Sequence, residues 1–277
     1  MGSTGTPGDA AAAAEQLQHP RFGSTSLHGR VAIVTGGTGG IGTAVCIYLA
    51  SLGAHVVIGH MADQKAAADR LVSKIRSFSY PNAIAVEADV SDPAQVKELF
   101  DEAESAFEVG KIHILVTTAA VCDYSYPLLK DTSAEVFDWT FKVNCKGTFL
   151  CCREAAKRLV RGGGGRIITF TSSTVGSLRP GYAAYTATKG AVETMTKVLA
   201  RELRGTMITA NSVAPGATMT PMFYGGKSEE VVEAIVRESP MLRLGAPEDI
   251  APMVGFLASD AGEWVNAQVI RVNGGYI

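Results

Sequence analysis

From Gly29 onward, two patterns of apolar residues alternate along the chain. Short runs rich in β-branched residues predict strands, and segments in which apolar residues recur every three or four positions predict helices. The predicted strands cover 31–34, 56–58, 84–86, 112–116, 166–170, 207–213 and 268–272. The predicted helices cover 41–52, 94–107, 134–160 and 185–203.

The predicted strands contain runs of consecutive apolar residues, such as 31–34 and 56–58, rather than apolar residues at alternate positions. Such strands are typical of a sheet that is covered on both faces. Because strands and helices alternate, we expect parallel pairing through right-handed crossovers. The pattern therefore predicts an α/β fold, a doubly wound, mostly parallel sheet with helices on both faces, in one domain over residues 29–277.

Residues 1–28 differ in composition from the rest of the chain. They are rich in Gly, Ser, Thr and Pro and contain an alanine run over 10–14. We expect a disordered tail. If this segment is a transit peptide, the protein belongs in a plastid; few arginines and no clear amphipathic pattern favour the cytoplasm instead.

Composition excludes several other classes of protein. The formal net charge of −2 gives no indication of a nucleic-acid partner. The five cysteines form no C-x-x-C pair, which favours a reducing compartment over a disulfide framework. We expect no metal site, because His and Cys do not cluster at ligand spacing. We expect no membrane span, because the sequence has no apolar run of about 18 residues.

A glycine-rich loop, TGGTGGIG, follows the first predicted strand and leads into a helix. Glycines allow backbone amides to approach a pyrophosphate, and the helix N-terminus favours its negative charge. The pattern is T-G-x-x-x-G-x-G, with Gly36, Gly40 and Gly42. A phosphate-loop nucleoside triphosphatase (NTPase) would need a lysine where Thr43 stands. A tight turn without a ligand is the remaining alternative.

The end of the second predicted strand bears on which dinucleotide binds. An acidic residue there would bind a ribose 2′-hydroxyl and repel a 2′-phosphate. Because His60 stands there between Gly59 and Met61, we favour NADP(H) over NAD(H). His60, Gln64 or Lys65 could contact the phosphate, or could form an ordinary solvated turn.

Tyr185 and Lys189 stand four positions apart on a predicted helix and therefore face the same way. A free phenol has a pKa near ~10, and a nearby ammonium lowers it. Such a tyrosine can give a proton to a carbonyl oxygen or take one from an alcohol. An exposed pair without chemistry is the alternative that the spacing alone allows.

Seven motifs in one order resemble the short-chain dehydrogenase/reductase family, over nearly all of residues 29–277. They are TGGTGGIG, ADV at 88–90, VNCKGTF at 143–149, TSS at 171–173, YTATK at 185–189, NSVAPGATMT at 211–220 and VNGG at 272–275. The resemblance implies a Rossmann-like fold. The sequence looks most similar to the family's NADPH-dependent aldehyde and ketone reductases.

The resemblance also implies a catalytic set. Tyr185 would be the acid–base, and Lys189 would lower its pKa and hold the nicotinamide ribose. A serine would polarise the substrate carbonyl; we favour Ser172 over Ser173, because Ser172 stands at the family's usual distance before Tyr185. Asn144 would hold a water near Lys189 in a proton relay, or would be a buried residue with a satisfied amide.

The cofactor and substrate positions follow from the same motifs. The cofactor-binding residues implied are Gly36, Thr38, Gly40, Ile41, Gly42, His60, Asp89, Val90, Ala119, Ala120, Tyr185, Lys189, Pro215, Gly216, Thr218 and Thr220. Asp89 could instead cap the following helix, and Pro215-Gly216 could be a simple turn. The substrate residues implied are Ser173, Tyr182 and Met222. Further pocket residues are expected at 122–124, 178 and 219–224, beside a glycine pair at 225–226.

One motif departs from the family. The fourth strand of the family usually ends in N-N-A-G, and here it ends in Thr117-Thr118-Ala119-Ala120. Threonine hydroxyls can replace some of the amide hydrogen bonds. Ala120 adds a methyl group where the backbone passes the cofactor, which would weaken cofactor binding.

These observations favour an oxidoreductase that transfers a hydride between NADP(H) and an aldehyde or ketone, or the corresponding alcohol. An NAD-dependent alcohol dehydrogenase of the same fold is one alternative. A low-turnover dinucleotide-binding module, acting as a redox sensor or scaffold, is the other. The expected partner is a small-molecule carbonyl or alcohol substrate. The resemblance further implies a homotetramer or homodimer built on the helices that begin near Ala134 and Tyr185.

Overall fold

A computed structural model describes residues 23–78 and 82–277. In this part of the chain, seven strands form one parallel sheet in the order β3-β2-β1-β4-β5-β6-β7. The strands are β1 Val31–Thr35, β2 His55–His60, β3 Ala83–Glu87, β4 Ile114–Thr117, β5 Arg166–Phe170, β6 Thr209–Pro215 and β7 Val269–Val272. The order reverses direction at β1, as in a doubly wound, Rossmann-like sheet, so the predicted fold class is confirmed.

The helices lie on both faces of the sheet. They are α1 Gly40–Ser51, α2 Lys65–Arg76, α3 Pro93–Ser105, α4 Ala134–Thr140, α5 Thr148–Arg158, α6 Thr174–Ser177, α7 Ala183–Glu202, α8 Pro221–Tyr224, α9 Glu229–Glu238 and α10 Pro247–Ala258. The sequence analysis did not assign α2, α9 or α10. It also predicted one helix over 134–160, whereas a π-helical segment, Phe141–Gly147, separates α4 from α5. Periodicity does not reveal such a segment, because apolar residues still recur at helical spacing through it.

Alternate residues of β1 pack into two hydrophobic cores, one on each face of the sheet. Ala32 and Val34 of β1 pack with residues of α1, α2 and α10 on one face. Val31 and Ile33 pack with residues of α3, α5 and α7 on the other face. All five residues of β1 are buried. This two-sided burial explains why the strand sequences are continuously apolar.

Two predicted strands begin too early. Ile112 forms only an isolated bridge with Leu159, and the β4 ladder begins at Ile114. Met207 has a φ of 63°, a left-handed conformation that strands do not adopt, and β6 begins at Thr209.

Residues 1–22 of the predicted tail lie outside the described residues. Residues 23–28 belong to the folded body. Leu27 is fully buried, and its backbone N–H donates to the Leu52 carbonyl at 2.8 Å. The Ser24 carbonyl accepts from the backbone N–H groups of Asp260 and Ala261 at 3.1 and 3.2 Å. The predicted boundary at residue 28 is therefore too late, because an isolated buried leucine carries no periodic signal. Within residues 23–78 and 82–277, no helix has both the length and the apolar character needed to cross a bilayer.

Candidate active site

A cavity of about 880 Å³ opens at the carboxyl edge of the sheet. Loops that leave β1, β2, β4, β5 and β6 all contribute to its wall, which is where ligands bind in open α/β sheets. Of the predicted site residues, the cavity is lined by Gly36, Thr38, Gly40, Ile41, Gly42, His60, Asp89, Val90, Ala119, Ala120, Ser172, Ser173, Tyr182, Tyr185, Lys189, Pro215, Gly216, Thr218, Thr220 and Met222. Asn144 does not line it.

The glycine loop is shaped for a phosphate group. No side chain of the described residues caps the N-terminus of α1 at Gly39, so the first N–H groups of the helix face the cavity without a side-chain acceptor. Side chains would not fit in this loop. A Cβ on Gly36 would lie 2.7 Å from the Ala119 Cα, and one on Gly42 would lie 2.2 Å from the Gly36 carbonyl oxygen. These features fit the pyrophosphate of a dinucleotide.

Thr118 holds the glycine loop against the end of β4. Its hydroxyl donates to the Thr35 carbonyl oxygen at 2.6 Å and lies 3.2 Å from the Gly36 carbonyl oxygen. A threonine hydroxyl thus forms a hydrogen bond between neighbouring strand ends, as predicted from the threonines that replace the family's asparagines after the fourth strand. Thr117 differs, because its hydroxyl is buried and has no hydrogen-bond partner among the described residues.

The end of β2 forms the part of the cavity where a ribose 2′ substituent is expected. The ring of His60 is buried, and its Nδ1 lies 2.9 Å from the Met61 carbonyl oxygen. The Thr38 hydroxyl donates to Gln64 Oε1 across this region. Lys65 does not line the cavity, and its ammonium pairs with Asp69 on the surface of α2. Of the three candidate phosphate contacts, His60 and Gln64 are therefore placed at the cavity and Lys65 is not.

Asp89 lies in the loop after β3. Its carboxylate accepts the Ser91 N–H at 2.8 Å, and its own N–H donates to Gln95 at 2.8 Å. The cap of α3 is Asp92, which accepts the Ala94 N–H at 2.8 Å. The alternative in which Asp89 caps the helix is therefore wrong.

Tyr185 and Lys189 stand one turn apart on α7 and share the cavity wall. The Lys189 ammonium lies 5.5 Å from the centroid of the Tyr185 ring and donates to the Phe170 carbonyl oxygen at 2.9 Å. Burial lowers the pKa of Lys189 to about 8. Burial and the neighbouring Cys122 thiol raise the pKa of Tyr185 above its ordinary value. The expected lowering of the Tyr185 pKa by Lys189 is wrong for this structure, because burial outweighs the nearby cation.

The two candidate serines after β5 have different surroundings. The Ser172 hydroxyl accepts the Thr174 N–H at 3.2 Å and is close enough to the Tyr185 phenol to oppose part of the rise in the phenol pKa. The Ser173 hydroxyl donates to the Ala214 carbonyl oxygen at 3.4 Å and accepts from Asn273 at 3.0 Å. Ser172 therefore faces the tyrosine, and Ser173 ties β5 to the segment after β7.

Asn144 lies in the π-helical segment and is fully buried. Its Oδ1 accepts the Val121 N–H at 2.8 Å, and its Nδ2 donates to the Val121 carbonyl oxygen at 2.9 Å and to the Thr188 hydroxyl at 3.3 Å. The amide is therefore committed to the backbone after β4. The structure agrees with the alternative of a buried, satisfied amide, and it does not direct this side chain to a water in the cavity.

The substrate end of the cavity contains residues that the motifs did not identify. Tyr126 and Lys227 line it together with Tyr182 and Met222. Of the further pocket positions expected from the sequence, Asp123, Leu178, Met219 and Tyr224 do not line it. Leu178 is 72% exposed. A polar aromatic residue soon after the end of a parallel strand is the signal that could have identified Tyr126.

The described residues contain no group of three or more His, Cys, Asp or Glu side chains arranged to hold a metal ion.

Comparison with known proteins places these features in a family. A family model described as enoyl-(acyl carrier protein) reductase matches residues 36–277. An Arabidopsis thaliana protein named "NADPH-dependent aldehyde reductase-like protein, chloroplastic" is 56% identical over 259 residues, which are 91% of this chain and 95% of that protein. A Picea abies "short-chain type dehydrogenase/reductase" is 57% identical over 256 residues, or 91% and 93% of the two chains.

A solved structure is similar to this chain in both sequence and fold. The crystal structure of a short-chain dehydrogenase from Burkholderia cenocepacia J2315 in complex with NADP is 31% identical, with a TM-score of 0.81 over 90% of this chain and 98% of the other. The sequence matches and the structural match cover nearly the same part of this chain. The chain belongs to the short-chain dehydrogenase/reductase family of oxidoreductases.

Proposed function

We propose that the protein is an NADP(H)-dependent carbonyl reductase that acts on aldehydes or ketones. One observation carries this proposal. Tyr185, with the Ser172 hydroxyl nearby and Lys189 one turn away, faces the same cavity as the uncapped N-terminus of α1. A proton donor and a dinucleotide site are thus combined in one space, as carbonyl reduction requires.

NADP(H) is the proposed cofactor, and it would supply the hydride. The N–H groups of Gly40 to Gly42 would hold the pyrophosphate. His60, at the end of β2, takes the place of the acidic residue that would repel a 2′-phosphate. The names of the Arabidopsis relative and the Burkholderia structure, which include NADPH and NADP, support this choice.

The chain's own residues would handle the proton and orient the substrate oxygen. Tyr185 is protonated at neutral pH because its pKa is raised, and a protonated phenol is the form that donates to a carbonyl oxygen. The Ser172 hydroxyl would hold that oxygen beside the phenol. Lys189, with a pKa of about 8, is mostly charged at pH 7 and would hold the nicotinamide ribose. Asn144 would act as a positioning residue for the Val121 backbone.

The cofactor choice can be tested by thermal unfolding with NADPH or NADH. A ligand that binds only the folded state raises the melting temperature by mass action. We expect a larger rise with NADPH at equal concentration. A larger rise with NADH would instead support the NAD-dependent alcohol dehydrogenase.

Turnover is a separate measurement. We expect NADPH oxidation in the presence of simple aldehydes or diketones, followed by the loss of absorbance of the reduced nicotinamide. If NADPH stabilises the protein but none of a broad carbonyl panel is reduced, the low-turnover binding module would be the better description.

We also propose that the protein is a homodimer or homotetramer. Phe137 on α4, Phe149 on α5 and Val198 on α7 are 40%, 46% and 49% exposed, on the helices expected to form the interface. Covering these side chains in a second subunit would remove apolar surface from water. Light scattering after size exclusion measures the mass, and a monomer at micromolar concentration would contradict the proposal.

The location of the protein is a further proposal. The word "chloroplastic" in the name of the Arabidopsis relative favours a plastid over the cytoplasm for this chain. A fluorescent fusion of the full chain, compared with one that lacks residues 1–22, tests whether that segment directs import. Cytoplasmic fluorescence from the full chain would contradict a plastid location.

A further inference from the structure

Lys227 occupies a cage of aromatic rings at the substrate end of the cavity. Its ammonium lies 4.2 Å from the ring centroid of Tyr126, 4.9 Å from that of Phe223 and 5.8 Å from that of Tyr182. It donates to the Phe223 carbonyl oxygen at 2.6 Å and to the Tyr126 hydroxyl. These contacts fix the position of the cation and use two of its three N–H bonds.

The other cations of the cavity wall are compensated in different ways. Arg179 forms a fork with the two carboxylate oxygens of Glu238, at 2.9 and 3.2 Å. Arg243 pairs with Asp249, and Lys142 is exposed to solvent. Lys189 is the exception: it is buried, no carboxylate of the described residues lies within 4.0 Å of it, and its ammonium donates to the Phe170 carbonyl oxygen where the nicotinamide ribose is proposed to bind.

Lys227 has neither a carboxylate partner nor full exposure to solvent, and the proposed cofactor does not account for it. Within residues 23–78 and 82–277, no carboxylate lies within 4.0 Å of its ammonium. The residue is half-buried, and burial lowers the pKa of its ammonium. A half-buried cation with one free N–H costs free energy unless a ligand anion pairs with it.

The cage is close to the proposed proton donor. The Tyr182 ring lies 4.9 Å from the Tyr126 ring and 6.4 Å from the Tyr185 ring, measured between centroids. The Tyr182 ring therefore neighbours both the Lys227 ammonium and the Tyr185 ring. A substrate whose carbonyl oxygen reaches Tyr185 can extend a second group past Tyr182 toward Lys227.

We propose that Lys227 determines substrate specificity by binding a negatively charged oxygen group, such as a carboxylate, on the carbonyl substrate. This inference rests on the proposed carbonyl reductase function and adds the class of substrate. The anion would accept the free N–H of Lys227, and the aromatic cage would contact the apolar body that joins the anion to the carbonyl group.

The test uses pairs of aldehydes of nearly equal size. 3- and 4-Carboxybenzaldehyde carry the anion, and 3- and 4-formylbenzamide replace it with a neutral amide. With NADPH, we expect at least one carboxylate to have a kcat/KM at least tenfold above that of its amide, through a lower KM. Lys227→Met should lower this ratio at least tenfold, and Lys227→Arg should retain most of it. Lys74→Met, an exposed lysine on α2, is the control and should leave the ratio unchanged.

The outcomes separate the inference from the function on which it rests. If the native protein reduces the amides but does not prefer either carboxylate, the role of Lys227 is wrong while carbonyl reduction stands. If Lys227→Met lowers kcat/KM for both members of a pair equally, Lys227 is only a structural tether between Phe223 and Tyr126. If neither aldehyde class, nor any of the simple carbonyls, is reduced, the proposed function itself is wrong. Thermal unfolding with NADPH shows whether each variant is folded, and the absence of a carboxylate preference in the native protein overturns the inference without any variant.

Discussion

The Thr118 hydroxyl donates to the Thr35 carbonyl oxygen at 2.6 Å, so a side chain joins the end of β4 to the end of β1. Its neighbour Thr117 has a buried hydroxyl without a partner among the described residues. Two adjacent threonines thus have opposite hydrogen-bonding states, and the glycine loop depends on only one of them.

Thr118→Val should loosen the glycine loop. A lost hydrogen bond costs about 1 kcal/mol, which corresponds to about five-fold weaker NADPH binding if the loop must be re-ordered on binding. Thr117→Val is the matched control. It removes an unpaired buried hydroxyl and should leave the unfolding free energy unchanged or slightly higher. Calorimetric titration with NADPH and urea denaturation measure the two effects. Equal NADPH affinities in the two variants would contradict the role of Thr118.

Gly42→Ala should be poorly tolerated. Its Cβ would lie 2.2 Å from the Gly36 carbonyl oxygen and 2.8 Å from the Thr118 hydroxyl, and backbone cannot move aside cheaply. We expect the free energy of unfolding to fall by about 1–3 kcal/mol, as for other overpacked sites. Gly190→Ala, within α7, meets no atom within 4 Å and should raise the free energy of unfolding by up to about 1 kcal/mol. Urea denaturation compares both with the native chain, and equal effects would show that the loop is not tightly packed.

Tyr185→Phe tests the proposed proton donor. General acid catalysis contributes about 10²- to 10⁴-fold, so kcat for carbonyl reduction should fall within that range. The NADPH-induced rise in melting temperature should be much less affected, because the ring remains. Tyr48→Phe makes the same chemical change at the contact between α1 and α10, away from the cavity, and should leave kcat near the native value. Undiminished reduction by Tyr185→Phe would exclude the phenol as the proton donor.

Lys189 should make the free energy of unfolding depend on pH between about pH 8 and pH 10.5. Its pKa is about 8 in the folded chain against 10.5 when free, because burial disfavours the charge. Between those two values the unfolded chain binds a proton that the folded chain does not. The free energy of unfolding contributed by Lys189 therefore rises with pH across this window, by at most about 1.4 kcal/mol per pH unit. Below about pH 8, Lys189 is charged in both the folded and the unfolded chain. Burying its charge then lowers the free energy of unfolding by an amount that no longer changes with pH.

The measurement is the difference in unfolding free energy between the native chain and Lys189→Met, from pH 7 to pH 10 without ligand. Thiols also titrate in this range in the unfolded chain, because burial raises the pKa of the buried thiols only in the folded chain. They are the same in both proteins and cancel in the difference. The difference should shift in favour of the native chain as the pH rises. Lys197→Met, an exposed lysine on the same helix, controls for removal of a lysine from α7. A difference that does not change with pH would contradict the burial of Lys189 as a charged group.

The sheet could be predicted from the sequence because both of its faces are buried. Every residue of β1 is buried, and its first four residues form an uninterrupted apolar run. The π-helical segment Phe141–Gly147 could not be predicted, since a shift in backbone hydrogen bonding leaves the apolar spacing almost unchanged.

The candidate site was also predictable from the sequence only in part. The motifs placed the glycine loop, Ser172, Tyr185 and Lys189 at one cavity, because motif positions follow the ends of strands. The direction of the Tyr185 pKa shift was wrong, because the balance between a nearby cation and burial depends on three-dimensional surroundings. Lys227 was missed for the same reason. Its aromatic neighbours Tyr126 and Tyr182 are distant in sequence and meet it only in the fold.

The division of β1 between two cores restricts how this chain can change in length. Loss or gain of a single residue inside Val31–Thr35 would exchange the faces of the side chains that follow, so that Ile33 would enter the space shaped for Ala32 or Val34. Both hydrophobic cores would then receive side chains of the wrong size. Length changes should therefore be confined to surface connections such as the glycine-rich turn at 162–165, whereas substitutions that conserve volume can occur within the strand.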